Sequence, residues 1–209
     1  MPAALLPDAR AGLRPSFHDP LSPRLRSLLA PSLAKLSGST QLEQVCRHVA
    51  PQREASAFAG AVLNRLAIGC AVETEDLARI PPAGSLVVVA NRPSGVAEAL
   101  TLIKVLTPLR PDLRVLVPRE IGPVPELEGQ LIRIDSAASP AARRRNASAL
   151  RQAIGWVREG GVLAIFPATA PAHRDAHSRR LVDSEWDGRV GRLIRHTAAP
   201  AVPIRPARC

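Results

Sequence analysis

One stretch limits the possible folds more than any other: Leu86-Val-Val-Val-Ala90, followed at once by Asn91-Arg92-Pro93-Ser94-Gly95. Five consecutive apolar residues, three of them Val, show no alternation, which is the pattern of a strand buried on both faces. Asn, Pro, Ser and Gly then break that strand into a polar turn. From residue 97 to 105 an apolar helical pattern resumes. A doubly buried strand, a polar turn and a helix N-terminus in this order imply an α/β sheet covered by helices. They also place a site at the turn, where free backbone N–H groups face outward.

The remaining chain supplies the other layers of such a sheet. Further strands are expected over residues 113–118, 130–135, 161–167 and 201–204, with a short edge strand at 69–73. Leu131 and Arg133 should face one side of the third of these segments, and Ile132 and Ile134 the other. Helices are expected over 55–67, 97–106 and 190–196. Another should run to Glu159, with Asn146 as its N-cap and Gly160-Gly161 as its stop. Thr40, with Glu43 three residues on, can cap an earlier helix through Leu42, Val45 and Cys46. The fold expected is a single α/β domain over residues 71–209, with a mostly parallel or mixed central sheet flanked by helices. A helical segment over 23–70 and a Pro-rich arm over 1–22 would precede it.

The 209 residues are enough for one domain with a sizeable core. Because aromatics make up only 2% of the chain, Ala, Leu, Val and Ile must build that core. The net charge is +10, nearly all of the positive side being Arg, since Lys35 and Lys104 are the sole lysines. Such an excess favours anionic partners, a membrane surface above all. Nucleic acid is disfavoured by the lack of aromatic stacking platforms and of any zinc or helix-turn-helix signature. Cys46, Cys70 and Cys209 are too scattered for a disulfide framework or a metal cluster, so a reducing compartment is the expectation. The apolar start is too short for a secretory signal, and no run approaches a membrane span. A cytoplasmic protein, peripheral on the inner face of the membrane, fits best.

Two basic stretches have two readings each. Leucines recurring over residues 21–36 suit a helix packed on the domain, or a basic amphipathic segment lying on a membrane. Arg143-Arg144-Arg145 suits a solvated helix face or a phosphate-binding patch.

Four blocks in order resemble the bacterial glycerophospholipid acyltransferases, in their hemolysin-like or ornithine-lipid branch. The chain has Asn91-Arg92-Pro93-Ser94-Gly95-Val96-Ala97-Glu98-Ala99 where the branch has Asn-His-Pro-x-Gly-Gly-x-Asp-Gly. Val124-Pro125-Glu126-Leu127 followed by Ile134-Asp135 resembles the second block, and Ile165-Phe166-Pro167-Ala168-Thr169-Ala170 the third. Asp183-Ser184-Glu185-Trp186 and Pro200-Ala201-Val202-Pro203 resemble the last. The resemblance implies acyl transfer from acyl carrier protein or coenzyme A thioester to a lysophospholipid or lipid-like amine. No bound cofactor is implied. The family continues beyond its last strand, so the resemblance also implies a C-terminally short domain.

Such a reaction needs a base for the attacking hydroxyl or amine, which in the family is a His oriented by an Asp. Here Arg92 stands at the His position and Glu98 at the Asp position with the spacing of this branch, or Ala97 with that of the wider family. A guanidinium stays protonated and cannot serve as that base. Arg92 and Glu98 can instead form an ion pair that keeps the turn in shape. His173, with His177 beyond it, offers a substitute base, or both are plain exposed loop histidines. Asn91, Pro93, Ser94, Gly95, Arg119, Phe166, Pro167, Ala168 and Thr169 would hold substrate. The alternative is a catalytically inactive relative that binds anionic lipid or phosphate through Arg92 and neighbouring arginines.

Overall fold

The computed structural model describes residues 45–50, 52–69, 77–78, 80–91, 96–135, 139–168, 173–174, 181–182, 186 and 188–204. The expected arm, the 21–36 segment and most of the 69–73 strand lie outside these residues, as does the Thr40 cap. Of the helix through Cys46, residues 45–47 are helical.

The architecture is α/β. Strands β1 (Leu86–Ala90), β2 (Leu113–Pro118), β3 (Leu131–Ile134) and β4 (Val162–Ile165) are four of the elements. The pair β5 (His173–Arg174) and β6 (Leu181–Val182) and the final strand β7 (Ala201–Ile204) follow. Helices α1 (Ala55–Arg65), α2 (Val96–Leu106), α3 (Pro140–Arg158) and α4 (Gly188–Thr197) separate them. The main sheet has the order β3-β2-β4-β1-β7, and every neighbouring pair is parallel. Of the two sheet types left open by the pattern, the parallel one is therefore realised.

Side-chain alternation divides the core into two layers. Leu86, Val88 and Ala90 of β1 and Val162 and Ala164 of β4 meet Phe58, Val62 and Leu63 of α1 and Leu100 and Ile103 of α2. Val87 and Val89 of β1 and Leu163 and Ile165 of β4 point the other way, onto Ala153 and Val157 of α3 and Leu193 of α4. Hence β1 and β4 are buried throughout, as their unbroken apolar runs require. The crossover β1-α2-β2 passes β4 on one face, and β3-α3-β4 passes β2 in the opposite direction on the other. Opposite directions on opposite faces give both crossovers the same hand.

Helix α3 starts earlier than its pattern suggested. Ser139, not Asn146, is the N-cap: its Oγ accepts from the Ala142 N–H at 3.1 Å, and Pro140 takes the first turn. The capping signal at Ser139-Pro140 was obscured by the arginines that follow, which carry no apolar periodicity. Asn146 lies inside the helix. The helix ends as expected, with Gly160 in the left-handed region at φ +96°.

At the N-terminal edge of the sheet one guanidinium joins three leading turns. Arg110 is only 3% exposed. It donates to both carboxylate oxygens of Asp112 at 2.8 and 2.6 Å, ahead of β2. It also donates to the carbonyls of Pro81 and Gly84 ahead of β1, and of Gly160 ahead of β4. The Arg110 hydrogen bond holds the Asp112 carboxyl below the ordinary Asp value, against the opposing effect of burial. Beside it, Trp156 donates to the Asp112 carbonyl at 2.8 Å, and Arg114 stacks on the indole at 3.6 Å. Gly161 fits under that ring because it lacks a Cβ, which would overlap the indole nitrogen.

Two outcomes follow from this edge. Arg110→Met should cost about 3 kcal/mol, because it orphans a carboxylate and three carbonyls. Arg110→Lys should recover only part of that loss, since an ammonium lacks the five-donor fork. Urea midpoints at unchanged slope would measure both. Gly161→Ala should lose about 1–3 kcal/mol and shift the Trp156 fluorescence, because the indole must leave its place.

Candidate functional site

The opposite, C-terminal edge of the sheet carries the residues singled out from the sequence. Strands β1 and β4 are adjacent, with Val89 opposite Ile165. The helix that follows β1, α2, lies in the layer with α1, and the next helix after β4, α4, lies in the layer with α3. When the helices after two neighbouring parallel strands lie on opposite faces, the carboxyl ends of those strands are where ligands bind in open α/β sheets.

Asn91 follows β1 directly at this edge. It is half-buried, and its Oδ1 is buried without a hydrogen-bond partner among the described residues. Arg92, Pro93, Ser94 and Gly95 lie outside the described residues, and so does any Arg92–Glu98 pairing. Glu98 sits in the first turn of α2 and is 4% exposed. A carboxylate there is favoured by the positive end of the helix dipole. It therefore sits on the inner side of the α2 N-terminus.

From β4 the chain continues into Phe166, Pro167 and Ala168. Phe166 is half-buried against the α1/α2 layer, while Pro167 and Ala168 are buried. Ala168 forms an isolated antiparallel bridge with Trp186, whose side chain is 56% exposed. Thr169, like Ala170, lies outside the described residues. The backbone at His173 is not the plain loop expected. It forms β5, antiparallel to β6, with His173 opposite Val182. His177 lies outside the described residues.

Arg119 follows β2, the strand beyond β4 from β1. At the ordinary strand spacing this puts it about 10 Å from β1. It is 52% exposed, and its Nε lies 3.6 Å from Asp135 Oδ2. The same carboxylate oxygen accepts from Arg145 Nε at 2.6 Å. Asn146 clips the backbone at this point: its Oδ1 accepts from the Asp135 N–H at 2.7 Å and its Nδ2 donates to the Asp135 carbonyl at 2.9 Å. Behind this group, Arg133 donates to Glu128 and to the Gly122 carbonyl, fastening the β2–β3 connection to β3. The structure thus brings Asn91, Glu98, Arg119, Phe166, Pro167 and Ala168 to one edge of the sheet. Sequence reasoning missed Arg145 and Asn146 as partners of Asp135. Their spacing along α3 was concealed by the misplaced helix start.

Among the described residues, no cluster of His, Cys, Asp and Glu is arranged to hold a metal ion. No helix among them is long and apolar enough to cross a membrane. Cys46 is a free thiol, pushed up to about 11 by burial and by the nearby charge of Glu126, so it is not a ready nucleophile near neutral pH. No family model matches the chain, and no curated protein matches it.

The Asp135 carboxyl is held below its ordinary value of 3.8, chiefly by the Arg145 hydrogen bond. Burial opposes this, and the charges of Arg145 and Arg119 add to it. A depressed carboxylate contributes stability that is present above the unfolded value and lost as pH falls through the folded one. The Tm gap between the native protein and Asp135→Asn should therefore be constant above about pH 5 and close progressively below 3.8. Melting curves over that range would check it.

Proposed function

We propose that the chain is a glycerophospholipid-acyltransferase-like protein. A site at the carboxyl ends of β1 and β4 would take a fatty acyl thioester, on acyl carrier protein or coenzyme A, and a lysophospholipid or lipid-like amine. The observation that carries this reading is the meeting of the first and third blocks. Asn91 and Glu98 on one side and Phe166-Pro167-Ala168 on the other flank the carboxyl ends of adjacent strands β1 and β4. Separate pieces of a resemblance that converge on one edge support it more than the same pieces scattered would. Asn91 Oδ1, buried at this edge, is available to a ligand donor. Arg119, about two strands away, suits the phosphate of an acceptor headgroup.

Residue 92 favours a second reading, in which the site binds without turning over. Acyl transfer removes a proton from the attacking hydroxyl or amine as its bond to the thioester carbonyl forms, and the thiol leaves. Arg92 cannot accept that proton. In the second reading, the site holds the anionic headgroup of a lipid, or phosphate, and the arginine is a ligand group.

Purified protein given labelled acyl thioester and lysophospholipid separates the two. Transfer by the native protein above a heat-killed control supports the acyltransferase reading. No transfer by the native protein, with transfer gained by Arg92→His, supports the non-catalytic binder on an acyltransferase scaffold. Failure of both proteins, with neither thioester nor lysophospholipid retained on a column of the native protein, rejects the family reading altogether.

A further inference from the structure

The two helices that cover one face of the sheet share a charge pattern of which the candidate site uses only Arg145. Helix α3 contains five arginines and α4 three, and neither contains an Asp or Glu. The opposite layer differs: the charged residues of α1 and α2 are Arg65, Glu98 and Lys104. Arg144, Arg151 and Arg158 recur every seven residues, so they stand along one side of α3 over about 21 Å. All three are exposed, as are Arg192 and Arg195 on the neighbouring α4. Arg158 reaches across to the carbonyl of His196 at 3.0 Å, which fixes the two helices side by side with their C-terminal ends together. Among the described residues no carboxylate pairs with Arg144, Arg151, Arg192 or Arg195.

Between the arginines of α3 stand Ser148 and Gly155, and Gly191 precedes Arg192 on α4. Small residues between long ones leave the guanidinium groups free to reach a common plane. Cations in the early turns of α3 also oppose the helix dipole, a cost that an external anionic surface would offset. No aromatic ring stands in the stripe, so it offers nothing for unstacked bases. Trp186, two residues before α4, is exposed, and an exposed indole suits the headgroup layer of a bilayer.

We infer that the outer face of α3 and α4 docks the protein flat on an anionic lipid bilayer. The contact is electrostatic and reversible, and it holds the C-terminal edge of the sheet beside the lipid headgroups. It is independent of acyl transfer, since it rests on the charge of the outer face of these helices and not on residues 91–98 or 166–168.

The test is co-sedimentation of the full chain with vesicles of neutral phosphatidylcholine, alone or with roughly a third phosphatidylglycerol. Binding is expected only to the anionic vesicles at about 0.1 M salt, and should fall steeply toward 0.5 M. A double variant, Arg151→Glu with Arg192→Glu, should bind at least about thirtyfold more weakly, because each basic group near such a surface contributes about 1 kcal/mol. A control, Arg53→Glu with Arg65→Glu, makes the same net-charge change near α1 and should keep most of the binding. Circular dichroism melts establish that both variants fold. The proposal is overturned if the native protein ignores anionic vesicles, or if the two double variants bind alike. It is also overturned if single-stranded RNA competes the protein off the vesicles at equal phosphate.

Discussion

The guanidinium of Arg110 is the contact on which the sheet's geometry depends. Parallel strands are not joined by short hairpins, so their leading ends come from distant parts of the chain and need another means of alignment. Here the turns before β1, β2 and β4 all offer oxygen atoms to a single buried side chain. A buried cation is tolerable because both the Asp112 carboxylate and three carbonyls satisfy its donors. Ser85 adds a fourth connection at this edge, donating to the Val157 carbonyl near the end of α3 at 2.6 Å.

With one edge tied in this way, the other is left to loops. Fixed strand origins and a shared register, Leu86 with Val162 through Val89 with Ile165, determine where Asn91 and Phe166 emerge. That these two ends lie side by side is a consequence of topology, and the helices that follow the two strands lie on opposite faces. The polar contacts at this edge are more open than those around Arg110. Arg119 and Arg145 are each about half exposed where they meet Asp135. Rigidity at one end and exposed charge at the other suit a scaffold that holds a site without burying it.

Much of the fold was legible from residue pattern. The runs at 86–90 and 162–165 have no alternation, and both are buried on two faces. β2 alternates in burial: Leu113, Val115 and Val117 are buried in the core with α1 and α2, while Arg114, Leu116 and Pro118 on the other face are half-buried. Errors fell where the local signal was weak or shared. The arginine run hid the start of α3, and no glycine marked the ends of α1 and α4. There Ala67 and Ala198 adopt positive φ, at 56° and 51°. The candidate site was legible as a location, since strand, turn and helix N-terminus must coincide. Its wall was less so: Asp135, Arg145 and Asn146 meet only because α3 begins at Pro140 and runs back beside β3.

What the sequence determined by itself was the kind of layer each segment could enter and the chemistry present at residue 92. Apolar period and residue type are local properties, and a guanidinium is a poor base in any fold. What only the tertiary structure decided was which ends would meet. Strand order, the burial of Arg110 and the gathering of arginines on one outer face depend on how helices separated along the chain come to lie side by side. Those pairings are set by contacts among residues far apart in sequence, which no local pattern encodes.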